Sequence, residues 1–277
     1  MQTAKAALLD CLRNQDLLEG SLLVGQVQDS AFSTEPYRTV IEESIEKTRT
    51  RCEKNSDDIF SVIDSINHSI FKSLGIQGKT DKYKQVIDDP NRYYLHLVLD
   101  QKVGSPLAVA VLYCIFAEGL GLKYECLALP SYYLIRFQSD GVDFYVDPFD
   151  SGKLLTLEEF QKKFRSALHK SRMLSASLFE RVKPTQLVAR LVQQLKHIYI
   201  LRSQAVEALR AVEILTSLFP ENPEFTRDRG ILYCEMEYFS KAMDDLRHYL
   251  EVRPQAEDVH EIKKLTQMLK GYREILN

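Results

Sequence analysis

GSPLAVAVLYCIFAEGLG, residues 104–121, is the stretch that decides how this chain folds. Ser105 is suited to cap exposed backbone N–H groups, and Pro106 suits the first helical position, where no N–H is needed. From Pro106 to Ala117 the side chains are apolar nearly all round the helix, which predicts a helix over 106–118 buried on every side. Gly119 and Gly121 end it. This run of 12 residues is the longest apolar one in the chain and too short to span a bilayer, so the protein itself must bury it.

The flanking sequence supplies the cover. Downstream, three runs rich in aromatic and β-branched residues, 124–129, 132–138 and 142–146, read as strands. Ser139, Asp140 and Gly141 join the last two as a hairpin turn. A buried helix on a small antiparallel sheet is an α+β arrangement. Upstream, residues 1–75 read as helical: Leu8, Leu9 and Leu12, then Leu17, Leu18, Leu22 and Leu23, recur at helical spacing. After a loop around residues 30–36, Tyr37, Val40, Ile41 and Ile45, and then Ile59, Val62, Ile63, Ile66 and Ile70, give two further amphipathic stretches. Residues 93–99 form a short helix, and Thr156 with Glu159 forms a capping box that opens another.

The rest of the chain is helical and repeats. Tyr199, Ala208 and Pro220 recur 34 residues later as Tyr233, Ala242 and Pro254, the tetratricopeptide period. The small Ala lets paired helices approach closely, and the Pro closes the second helix. Gly230 fills the small-residue position of the second repeat, where the first has Lys196. Residues 257–276 read as a capping helix. Two repeats bury little core, so the array is expected to lean on the first domain.

Composition excludes several classes of function. The 277 residues allow about two domains. Net charge is −3, which gives no global field toward nucleic acid or an anionic membrane. The basic run Lys162, Lys163, Arg165, Lys170 and Arg172 follows Glu158 and Glu159 and reads as a solvated helix face. Five cysteines, 11, 52, 114, 126 and 234, form no CxxC pair, so neither a disulfide scaffold nor a zinc site is expected. The first residues lack the apolar core of a secretory signal, and a reducing cytosol is the expected location.

Taken together these segments resemble the SirB1 family, a transglutaminase-like domain followed by tetratricopeptide repeats. The matching residues run through Ile66, Asn67, Phe71 and Leu74 to Ile76, then 88–95, 104–107, Leu112, Tyr113, 120–122, 130–136 and 146–149. The C-terminal part is the most specific: 195–199, then 227–233, then Asp245, Leu246, Tyr249, Leu250 and Pro254. The resemblance implies a mostly helical, papain-like α+β domain over 1–155 with a small antiparallel sheet. A helical linker over 156–180 and an all-α repeat domain with its capping helix over 181–277 complete the expected layout.

The resemblance also shows what is missing. A thiol transglutaminase core places Cys at the start of the central helix, where the helix dipole and a neighbouring His stabilise the thiolate. Pro106 stands at that nucleophile position, Tyr132 at the position of the base and Ser131 at that of the Gly before it; Ala108 replaces a Ser common in the family. Only Asp147, the orienting carboxylate, keeps the expected type, and without an imidazole it has nothing to orient. Each surviving candidate also has a structural reading. Ser105 reads as a cap, Cys114 as a buried thiol, Tyr132 as a sheet aromatic, Asp147 before Pro148 as a turn former, and His96 as a surface or capping residue. Cys126 remains a candidate because it lies in a strand near the expected site. Arg227, Asp228 and Arg229 read as a clamp, either between the domains or for a peptide. The expected function is a non-catalytic interaction module in the cytosol, with a protein or peptide partner, no cofactor, no metal, no nucleic acid and no membrane. The rival is a hydrolase or acyl transferase using Asp147, Tyr132 or Cys126.

Overall fold

The structure is a computed structural model. It describes the chain apart from residues 1, 30, 56–57, 79–85, 130–131, 140, 157, 160–161, 163–179 and 277. The Ser131 position, Asp140 of the hairpin turn and most of the basic run from Lys163 to Arg172 therefore lie outside the described residues. The chain divides into two compact units, Met1–Leu191 and Val192–Asn277. The division falls inside a helix, Pro184–Leu201, that the sequence assigned wholly to the repeats.

In the first unit, α1 (Gln2–Arg13), α2 (Leu17–Gln28), α3 (Glu35–Asn55) and α4 (Ile59–Asn67) correspond to the four apolar stretches read from the sequence. A feature the sequence did not announce follows α4: residues His68–Ser73 wind as a π-helix. Next come a 3-10 turn, Pro90–Arg92, and α5 (Leu95–Gln101), two residues later than the spacing suggested. The decisive segment is α6 (Pro106–Gly119), in which every residue from Pro106 to Ala117 is buried. Ser105 caps it as expected, its hydroxyl accepting from the Ala108 N–H at 3.2 Å.

One antiparallel sheet covers one side of α6. Its order is β4-β3-β2-β1-β5, from β1 (Tyr124–Leu129), β2 (Tyr132–Ser139), β3 (Val142–Asp147), β4 (Lys153–Leu155) and β5 (Glu180–Val182). The two outer strands escaped the sequence reading because three residues are too few to show a period of two. Pairing sets Tyr132 opposite Leu129 at the start of β2, and Asp147 opposite Lys153 at the end of β3. The α4, α6 and post-β3 segments meet at Asn67: its amide donates to the Gly152 carbonyl at 2.9 Å, and its Oδ1 accepts from the Tyr113 hydroxyl at 3.0 Å. Gly152 is required there twice over. Its φ is +71°, and a Cβ would lie 1.7 Å from Asn67 Oδ1.

The second unit continues from the last part of α7 (Pro184–Leu201) through α8 (Ala205–Leu218), α9 (Pro223–Glu235), α10 (Phe239–Val252) and α11 (Val259–Leu276). Ala208 and Ala242 are both fully buried. Gly230 sits where a Cβ would come within 2.8 Å of Leu246, so α9 and α10 touch through the missing side chain. Each second helix of a repeat stops at Phe219 or Arg253, one residue before its Pro, as the residue before a proline avoids helical geometry.

The two glycine turns next to the sheet give a test. Gly141 also has a positive φ, +77°, but nothing lies within 4 Å of its Cβ position. Gly141→Ala should cost about 1–2 kcal/mol of backbone strain, whereas Gly152→Ala adds the clash with Asn67 and should cost clearly more. Urea unfolding of the two variants checks this, and equal losses would refute the Asn67 bridge.

Candidate functional site

The N-terminus of α6 is where a thiol would have to stand, and its groups are committed elsewhere. Ser105 is fully buried; its hydroxyl caps Ala108, and its own N–H donates to the Arg92 carbonyl at 2.9 Å. Pro106 is buried at the first helical position and Ala108 is 1% exposed. The Ser105 cap pairs one of the first N–H groups of this helix, and Pro106 removes another.

The other two positions are brought together. The Tyr132 hydroxyl donates to Asp147 Oδ2 at 2.5 Å, across the ends of β2 and β3. Asp147 is fully buried, and its second oxygen, Oδ1, accepts from the Asp150 N–H at 3.0 Å, shaping the 3-10 turn Pro148–Asp150. The turn-forming reading of Asp147 and the orienting reading thus describe one carboxylate with two oxygens at work. Tyr132 also packs on the cluster of Leu127, Leu129, Leu134, Tyr145 and Leu155. An imidazole here would donate one N–H to Asp147 and still present a basic nitrogen. The phenol has one O–H, and it donates that to the carboxylate.

Both cysteines near the site are buried. Cys114 and Cys126 are 0% and 1% exposed. Burial first, and then hydrogen bonding with Cys126, push the Cys114 thiol well above its ordinary range. The neighbouring Tyr124 hydroxyl donates to Glu118 at 2.6 Å, and burial raises the pKa of both Tyr124 and Glu118. A thiol with a raised pKa is protonated at neutral pH and inert.

His96 is neither a surface nor a capping residue. It is half-buried, with its ring 4.1 Å from that of Phe32 and 5.7 Å from those of Tyr37 and Tyr94. A Cβ on Gly25 would lie 2.5 Å from the imidazole, so α2 touches this ring through a glycine. Burial lowers its pKa against the opposing pull of Asp100 and Asp29, and its Nδ1 has no hydrogen-bond partner. Sequence reading missed this role because the aromatic neighbours come from three separate segments.

It also gave no role to Asn67, which was quoted only as part of a matching segment. The signal was present in its position at the end of an apolar helix, but the partners Tyr113 and Gly152 lie 46 and 85 residues away.

Arg227, Asp228 and Arg229, on one turn of α9, make their ion pairs inside the repeat unit. Asp228 takes Lys196 at 2.5 Å and Arg227 at 2.7 Å, while Arg227 also reaches Asp258 at 2.7 Å. Arg229 grips Asp245 with two bonds of 2.7 Å. Tyr249 donates to the same Asp258 at 2.6 Å. Lys196, which replaces the small residue of the first repeat, also sits over the Phe225 ring. Burial works against the Arg227 charge, but Asp228 and Asp258 outweigh it and its pKa is raised. These pairs link α7, α9, α10 and the turn just before α11.

Two family models account for most of the chain. The transglutaminase-like superfamily model matches residues 35–193, and a tetratricopeptide repeat model matches 195–267. A UPF0162 protein of Xylella fastidiosa (strain Temecula1) is 26% identical over 250 residues, covering 89% of this chain and 87% of that protein. The protein SirB1 of Salmonella typhimurium is 24% identical over 245 residues, covering 87% of this chain and 88% of its own. F-box only protein 21 of Pongo abelii is 25% identical over 205 residues, and there the match spans 70% of this chain but 31% of the relative. The chain belongs to the transglutaminase-like superfamily, and within it to the SirB1 family, in which the repeats follow the transglutaminase-like domain. Among the described residues, no helix is long and apolar enough to cross a membrane, and no cluster of His, Cys, Asp and Glu is placed to hold a metal ion.

The ion pairs predict a graded response. Asp228 is 12% exposed and serves two cations, whereas Glu224 pairs with Arg253 at 3.1 Å with both half-exposed. Asp228→Ala should cost about 2 kcal/mol or more, short of the roughly 3–5 kcal/mol of a fully buried pair. Glu224→Ala should cost about 0–1 kcal/mol. Chemical unfolding measures both; an Asp228→Ala variant as stable as the parent would show that the cluster does not hold the repeats together.

Proposed function

We propose that this chain is a non-catalytic member of its family, a cytosolic protein-interaction module in which the transglutaminase-like domain serves as a scaffold and the repeats engage a protein or peptide. The observation that carries this reading is the Tyr132–Asp147 hydrogen bond of 2.5 Å at the position of a base and its orienter, with the buried Pro106 standing at the nucleophile position. Tetratricopeptide arrays present extended helical surfaces to partner segments, and this supports the choice of a polypeptide partner. Arg227, Asp228 and Arg229 take a supporting part, holding the repeat helices in the arrangement that a partner would meet. The enzyme reading has no specific observation in its favour: Cys126 is buried, and the phenol of Tyr132 is engaged with the carboxylate.

The test uses the full chain, purified by affinity from native cells with its partners identified by mass spectrometry, beside a Tyr132→Phe, Asp147→Asn variant. The reading expects the same partners on both proteins. It also expects Cys114 and Cys126 to resist alkylation until the protein is unfolded. Rapid pH-dependent labelling of Cys126, an acyl adduct on Cys126 or Asp147, or partner capture lost only in the site variant would overturn it.

A further inference from the structure

A second site lies next to the Asp147 loop, and its charges are used by neither the fold nor the degenerate dyad. It is a cavity of 390 Å³, within the roughly 300–1,000 Å³ usual for small-ligand pockets. Its lining includes Asp64, His68, Phe71, Lys72, Ile76 and Gln77, with Asn67 at its wall, and the exposed His68 imidazole adds a further polar group beside the two charges. Part of its wall is the π-helical segment His68–Ser73, a rare geometry that recurs at functional sites.

Its polar groups are open for binding. Lys72 has no carboxylate partner and the Gln77 side chain no hydrogen bond among the described residues. Asp64 has only a long, solvent-exposed pairing with Arg51 at 3.8 Å. One ammonium and one carboxylate, with a free amide and the apolar Phe71 and Ile76, suit a ligand that is charged at both ends and neutral between them. A phosphate would satisfy Lys72 but face the Asp64 carboxylate. The two charges are eight residues apart on the α4–π segment, about 12 Å at a helical rise of ~1.5 Å per residue. Three extended residues span roughly 10–11 Å.

We propose that this cavity binds a short peptide by both free termini, with Lys72 taking the α-carboxylate, Asp64 the α-ammonium and Gln77 an internal amide. Asn67 joins the pocket wall to the Gly152 carbonyl, so an occupant presses on the turn that follows Asp147. The site lies in the first unit and is independent of what the repeats bind.

Isothermal titration of the full chain with Ala-Ala-Ala, with its N-acetylated and C-amidated form, and with inorganic phosphate tests this. The free tripeptide should bind at millimolar strength or better, and the blocked form about tenfold or more weakly. Lys72→Ala should weaken the free tripeptide about tenfold without lowering the melting temperature, because Lys72 is exposed, and Lys72→Arg should restore binding. No heat from the tripeptide at about 10 mM, equal binding of the blocked form, phosphate binding as tightly as the peptide, or a Lys72→Ala variant with unchanged affinity would each overturn the proposal. A failure here would leave the capture of protein partners unaffected, so the two readings are tested separately.

Discussion

The first unit depends on one constraint: α6 is apolar on all sides and must be covered on all sides. Twelve consecutive residues, Pro106 to Ala117, are buried. Each large side chain so removed from water contributes about 1.5–3 kcal/mol relative to exposure, so burying this segment is strongly favourable. The sheet, the α2–α4 helices and the turn after β3 are what the chain supplies as cover. Burial of the helix also buries its start, where free N–H groups must find partners or be absent. Ser105 supplies a partner and Pro106 removes a donor. Both residues thereby help to close the core around the start of α6.

The same logic explains Tyr132 and Asp147. A carboxylate with no solvent exposure needs hydrogen-bond donors, and Asp147 finds them in the Tyr132 hydroxyl and the Asp150 N–H. Through Asp150 it fixes the turn leading to Gly152, and through Gly152 that turn is fastened to Asn67 and Tyr113. The Tyr132–Asp147 pair thus forms part of a joint between the sheet and two helices. In the repeat unit Asp228 and Asp245 have the equivalent part, each buried or nearly so and gripped by cations from the same unit.

Much of this was legible in the sequence because it is local. Ser105, Pro106 and the apolar run announce α6; the Thr156–Glu159 box announces its reciprocal bonds, 2.9 Å and 3.2 Å in the structure; the 34-residue period of Tyr, Ala and Pro announces the repeats. What stayed hidden depends on distant partners or on elements too short for periodicity. The strands Lys153–Leu155 and Glu180–Val182 carry three residues each, and their pairing is set by β3 and β1 rather than by their own pattern. The π-helical winding of His68–Ser73 leaves the apolar spacing of Ile66 and Ile70 unchanged, so no pattern marks it. The site was legible as a set of absences, Pro106 for a thiol and Tyr132 for an imidazole. The direct bond between Tyr132 and Asp147 depends on the register of β2 against β3.

The central claim is that Tyr132 and Asp147 hold the fold and perform no chemistry, and a double-mutant cycle on stability tests it most directly. Residues kept for catalysis commonly cost stability, and their removal tends to stabilise. Residues kept as a joint lose it when removed. The account predicts that Tyr132→Phe lowers the unfolding free energy by about 1–3 kcal/mol, because the buried Asp147 Oδ2 loses the Tyr132 hydroxyl while Oδ1 keeps the Asp150 N–H. It also predicts that Tyr132→Phe and Asp147→Asn are coupled by about 1 kcal/mol or more. A Tyr132→Phe variant as stable as the parent or more stable, with no coupling to Asp147, would contradict it.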